Sequence, residues 1–129
     1  MVIDTSAVIA ILQQEDEAQS FADLIAADRY RLMSAVSYLE SAIVISSRYG
    51  STGQAQLEAL LRNYAISVIP FTPTQAEAAR VAYSTYGKGH HPARLNMGDC
   101  CSYALAKTTG EALLFKGNDF SQTDIPVVE

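Results

Sequence analysis

The chain has 129 residues, 49% of them apolar and 18% charged, a balance that excludes a disordered tail and supplies one hydrophobic core without disulfides or structural metal. No apolar run approaches the roughly 20 residues that a membrane span requires, so no transmembrane segment is expected. A formal net charge of −5 argues against nucleic-acid binding, unless several acids are committed to a cation and the bases sit together.

The segment VIDTSAVIAIL is apolar and N-terminal, but it carries Asp4 and lacks a basic flank, so it reads as fold rather than signal peptide. Residues 1–4 form a short strand ending on an acid, and residues 5–13 a helix. A second helix runs from about Asp16 to Ala27, followed by a short strand at Tyr30–Met33. Ser34 is placed to cap a long helix to Arg48, Gly50 and Gly53 flank the next turn, and Gln54–Tyr64 is helical again. The β-branched run ISVIP is a strand closed by Pro70. Thr72, Pro73 and Gln75 then supply an N-cap, a first-turn proline and a third-position glutamine, a helix start that carries on to Gly87.

GKGHHPARL reads as an exposed loop. Asn96 caps a helix from Met97 to Thr109, Gly110 ends it, EALLF is a buried strand, GNDFSQTDIP is loop, and VV is at most a last short strand. Adjacent Cys100 and Cys101 make neither a CxxC redox site nor a zinc pair; they read as reduced helix thiols in a cytoplasmic setting. The alternation of strand and helix predicts one α/β domain over residues 1–129, a mainly parallel sheet flanked by helices. Ligands of such sheets gather beyond the carboxyl ends of the strands, near the switch in strand order.

Four acids are unusually placed. Asp4 ends the first strand, Glu40 sits in the otherwise apolar YLESAIV, Asp99 opens the GDCCSYALA helix, and Asp119 follows the LLF strand. Each also has a purely structural role open to it. Asp4 can cap the helix at Thr5, Glu40 can close a capping box with Ser37, Asp99 can complement its helix dipole, and Asp119 can stabilise a turn. Parallel topology would bring the ends that carry Asp4, Asp99 and Asp119 to one edge, where crowded carboxylates repel unless a cation neutralises them. An all-oxygen cluster suits Mg²⁺ or Mn²⁺, which points to phosphodiester hydrolysis.

The blocks VIDTSAVIAIL, YLESAIV, RLNMGDCCSYALAK and LLFKGNDFSQTDI resemble the PIN-domain toxins of VapBC modules in order and spacing over nearly the whole chain. The resemblance implies a PIN-like three-layer α/β/α fold and a Mg²⁺- or Mn²⁺-dependent endoribonuclease, the toxin of a type II toxin–antitoxin module. Asp4, Glu40, Asp99 and Asp119 would be its catalytic and metal-binding acids, with Ser6 supporting the site. Many relatives carry a further acid where this chain has Asn118, so its metal cluster is expected to be less negative. Arg94 and Lys116, within the specific blocks, are expected to contact RNA phosphate. His90 and His91 are too few for a zinc site and read as loop.

The implied partners are a cognate VapB-like antitoxin, an RNA substrate and a second copy of the chain. A homodimer is also suggested by the apolar Ile43, Val44 and Ile45 on the long helix. A phosphoacceptor domain would need an Asp ending a middle strand, where ISVIP has none, and an Asp-nucleophile phosphatase would need an Asp at Ser6. The remaining alternative is a catalytically weak PIN-like protein acting as a protein- or RNA-binding partner.

Overall fold

Successive side chains leave a strand on opposite faces, and in this chain both faces are apolar. In β1 (Val2–Ile3) and β4 (Leu113–Leu114), Val2 and Leu113 enter one core while Ile3 and Leu114 enter another. Met33 of β2 (Leu32–Ser34) joins the second core. The sheet must therefore be covered on both sides. Helices α1 (Thr5–Leu12), α2 (Ala18–Ala27) and α3 (Ala35–Asn63) cover one face with Val8, Ile25, Ile45 and Leu57. Helices α4 (Pro73–Tyr86) and α5 (Met97–Thr109) cover the other with Ala79, Ala82, Tyr103 and Leu105. With β3 (Ser67–Ile69) added, the four strands pair in parallel in the order β3-β2-β1-β4. The three-layer α/β/α architecture expected from the sequence is what this computed structural model of residues 1–129 contains. No helix is long and apolar enough to cross a membrane.

Local signals set most helix ends. Ser34 caps α3 by accepting the Val36 N–H, and Thr72 caps α4 by accepting that of Gln75. Gln75 does not close a box with Thr72; its amide donates instead to the Pro70 carbonyl at 3.1 Å. Gly110, at φ 75°, ends α5 in the left-handed conformation that glycine tolerates. The turn expected between Gly50 and Gly53 shrinks to one residue. Gly50 (φ 60°, ψ −144°) kinks α3, whereas Gly53 lies buried inside its second half. A Cβ at Gly53 would sit 2.7 Å from the Ile45 carbonyl oxygen, so its role is to let two turns approach. The final VV contributes one bridge, Leu113 to Val127.

Strand order positions the rest. From β1 the chain steps to β2 and β3 on one side, then returns to place β4 on the other. The switch in direction falls between β1 and β4, and beyond their carboxyl ends lie Asp4 and the segment from Phe115 to Asp119.

Candidate active site

Asp4 is 4% exposed and does two jobs. As the N-cap of α1 its Oδ2 accepts the Ser6 backbone N–H at 3.0 Å and the Ser6 hydroxyl at 2.6 Å. Its other oxygen, Oδ1, accepts the Ser102 hydroxyl of α5 at 2.6 Å. Ser6 Oγ also accepts the Lys116 backbone N–H at 2.9 Å, tying the loop after β4 to the end of β1. Ser6 thus joins the two strand ends at the switch point.

Glu40 does not close a capping box with Ser37. Ser34 already caps α3, and Ser37 is buried one turn in, its hydroxyl 2.9 Å from that of Ser102. The half-buried Glu40 carboxylate lies against Gly98 in the first turn of α5; a Cβ there would be 2.8 Å from Oε2. Glycine at this position admits an anion to a helix start, where the dipole favours it. Asp99, one residue on, closes a capping box: Oδ2 accepts the Asn96 N–H at 3.0 Å, and Asn96 Oδ1 accepts the Asp99 N–H at 2.9 Å. Burial pushes its carboxyl up to about 6; Asp4, Asp119 and Glu40 add to the rise, against the Asn96 hydrogen bond.

Asp4, Ser6, Glu40, Asn96, Asp99 and Lys116 line one open cleft of about 370 Å³. Asp119 does not line the cleft; it is exposed, entering a 3₁₀ turn (Phe120–Gln122), close enough to act on the charge of Asp99. Phe120 anchors that turn, 2% exposed, with its ring 5.0 Å from Phe115. Asn118 is exposed, and its carbonyl accepts the Ser121 hydroxyl at 2.7 Å.

The two predicted RNA contacts fall in different places. Lys116 is the one base lining the cleft, but its ammonium is already paired with Glu15 and, at 3.2 Å, Glu17. Arg94 is outside the cleft. It is exposed at φ 55° in the 87–95 loop, around a separate surface pocket with Lys88, His90 and His91. Cys100 and Cys101 are free and buried, as expected of core thiols; burial pushes Cys100 up to about 12.

The donor set is all oxygen and hard, which suits Mg²⁺ or Mn²⁺. No three His, Cys, Asp or Glu side chains converge closely enough to enclose an ion. That is compatible with Mg²⁺, which keeps several waters and takes one or two carboxylates rather than a closed protein cage. Sequence reasoning missed two residues, Gly98 and Ser102. The available signal was a serine three positions after Asp99 in a run otherwise suited to burial, on the same helix face.

The PIN domain family model matches residues 1–126. Ribonuclease VapC30 of Mycobacterium tuberculosis is 52% identical over 128 residues, covering 99% of this chain and 98% of that protein. Ribonuclease VapC of Mycolicibacterium smegmatis is 51% identical, covering 99% of each. Among solved structures, Mycobacterium tuberculosis VapC20, a Sarcin-Ricin loop cleaving toxin, aligns with a TM-score of 0.77 at 18% identity, over 96% of this chain and 95% of that one. VapBC2 from Rickettsia felis, bound to a DNA fragment from its promoter, aligns at 0.78 and 14%, over 99% and 96%.

Proposed function

The chain belongs to the PIN-domain family, and from that premise we propose that it is an RNA-cleaving hydrolase, the toxin of a type II toxin–antitoxin module. The observation that carries the reading is the meeting of Asp4, Glu40 and Asp99 in one cleft at the sheet's switch point, with Asp119 near enough for its charge to act on Asp99. Relatives about half identical over nearly their full length bear the name ribonuclease. The whole of residues 1–129 is read as a single PIN domain.

In this reading Asp4, Asp99, Glu40 and Asp119 are the residues that would hold Mg²⁺ or Mn²⁺. A bound divalent ion would polarise the scissile phosphoryl oxygen and acidify an attacking water. The chain's own residues prepare that chemistry. Ser6 and Ser102 fix both oxygens of Asp4 in orientation. Asn96 holds one oxygen of Asp99, and Glu40 rests against the first turn of α5. Lys116 moderates the negative field at one wall, and RNA phosphate can recruit it only by competing with Glu15 and Glu17. Arg94 would meet a phosphate farther along the strand.

Partner binding is read from the surface beside the acids. Leu39 (57% exposed), Ile43 (58%) and Met97 (74%) surround a shallow apolar depression next to Glu40. A VapB-like antitoxin segment and a second copy of the chain are the proposed occupants of this face. Solved relatives include VapBC2 and a toxin-antitoxin complex from Klebsiella pneumoniae.

The decisive experiment is cleavage of RNA by purified protein in Mg²⁺ or Mn²⁺ and again in excess EDTA. Cutting in metal that stops in EDTA is the expected result. Unchanged cutting in EDTA contradicts the metal role. No cutting under either condition leaves the catalytically weak binding partner.

A further inference from the structure

Besides the helix cap Ser34, three serines are fully buried: Ser37 and Ser41 on α3 and Ser102 on α5. Burial of a hydroxyl is costly unless it is partnered, so each needs a physical account. Ser41 Oγ has no partner. Ser37 and Ser102 differ: their oxygens lie 2.9 Å apart, and Ser102 is 2.6 Å from Asp4 Oδ1. Distance alone leaves the direction of the serine–serine bond open, but chemistry fixes it. An ionised carboxylate only accepts, so the single Ser102 proton points at Asp4 and its oxygen must accept the proton of Ser37. The two hydroxyls form a chain directed toward one carboxylate oxygen. Its last link has the length of a charge-assisted bond, and each link strengthens the next. The Ser37 carbonyl also accepts the Thr5 hydroxyl at 3.3 Å, so the chain is anchored to α1, the helix that Asp4 caps.

We propose that Ser102, backed by Ser37, is a positioning residue that sets the divalent-metal affinity of Asp4. The inference rests on the proposed metal-dependent reading of the cleft. Asp4 has one oxygen pinned by Ser6 and the other by Ser102, so its plane cannot turn while both bonds hold. Partners behind metal ligands commonly govern affinity by ten- to a hundredfold, on the order of the loss expected when one is removed. A hydroxyl that only satisfied burial would change stability and leave metal affinity alone.

The test titrates Mn²⁺ alone into the full chain, without RNA, following the paramagnetic resonance of the free ion. Ser102→Ala is expected to weaken binding about tenfold, and Ser37→Ala by less, because the hydroxyl touching Asp4 remains. Ser102→Thr, which keeps the hydroxyl, should recover wild-type affinity. Ser41→Ala removes an equally buried hydroxyl with no partner and should leave affinity unchanged. In RNA cleavage, Ser102→Ala should need more Mn²⁺ for half-maximal rate, with kcat recovering at saturating metal and KM for RNA unmoved. Wild-type affinity in Ser102→Ala overturns the proposal, as does an equal loss in Ser41→Ala. Should Ser102→Ala fail to fold, Ser37→Ala decides, and unchanged affinity there overturns it. A wild-type chain that binds no Mn²⁺ removes the metal reading and this inference together. One that binds Mn²⁺ but cuts no RNA removes only the proposed function.

Discussion

Two aspartates along α5, one in its first turn and one bonded to its second half, have opposite surroundings. Asp124 accepts the Tyr103 hydroxyl at 2.5 Å and the Lys107 ammonium at 2.9 Å, and these bonds hold its carboxyl below the usual range. Asp99, four residues before Tyr103, is half-buried among Asp4, Glu40 and Asp119, and its carboxyl is pushed up to about 6. The first arrangement stabilises the folded chain. The second works against it, because the native state resists a charge that the unfolded chain accepts freely. Acids kept close without cations of their own mark where function rather than stability selects the residues.

The largest effect that would sharpen this comparison is on activity. Asp99→Asn keeps shape and an oxygen for the Asn96 N–H while removing a charge, and it should lower the RNA cleavage rate by roughly 10²-fold or more. Its metal-free melting temperature should hold or rise. Asp124→Asn should do the reverse, leaving the cleavage rate within a few-fold while costing about 1 kcal/mol in urea unfolding. Equal activity losses in the two variants would break the distinction.

Gly98→Ala separates the same quantities at one atom. The added Cβ meets Glu40 Oε2 at 2.8 Å and must displace that carboxylate. Cleavage should fall about tenfold, while alanine's helix preference offsets any loss of stability, an exchange worth up to about 1 kcal/mol. Unchanged cleavage would show that Glu40 need not rest against α5.

The pH response is smaller and has a definite sign. With its folded-state pKa raised from 3.8 to about 6, Asp99 leaves the native state holding more protons than the unfolded state in that window. Metal-free stability from this group therefore falls as pH rises through the window, and the wild type minus Asp99→Asn difference in melting temperature isolates it. A difference that stays flat between about pH 4 and about pH 7 would contradict the burial of Asp99 and its crowding by the other acids. The smallest expected effect is none at all. Glu58, exposed and bonded only to Gln54, should tolerate Glu58→Gln with no change in cleavage.

Much of the frame was legible because its signals are local. The caps at Ser34, Thr72 and Asn96, the Gly110 stop and the short apolar strands are set by neighbours in sequence. What was not legible depends on contacts between distant segments. Ser-x-x-Glu at Ser37 and Glu40 matched a capping box, yet Ser37 turns to α5 because Ser34 already supplies the cap. Asp4 and Asp99 each fill the bland role open to them, helix cap and capping box, and still face the same cleft. The structural and functional readings were compatible rather than competing. Lys116 was legible as a base near the acids, but its pairing spans 101 residues and no periodicity announces it.

The proposal that these crowded acids bind a divalent cation is tested most directly by thermal unfolding of wild type and Asp99→Asn with and without Mn²⁺. Binding to the native state alone should stabilise the wild type by about 2.7 kcal/mol at a hundredfold excess over the dissociation constant. Its melting temperature should rise accordingly, and Asp99→Asn should lose most of that rise. The same rise in both proteins, or none in the wild type, would contradict the account.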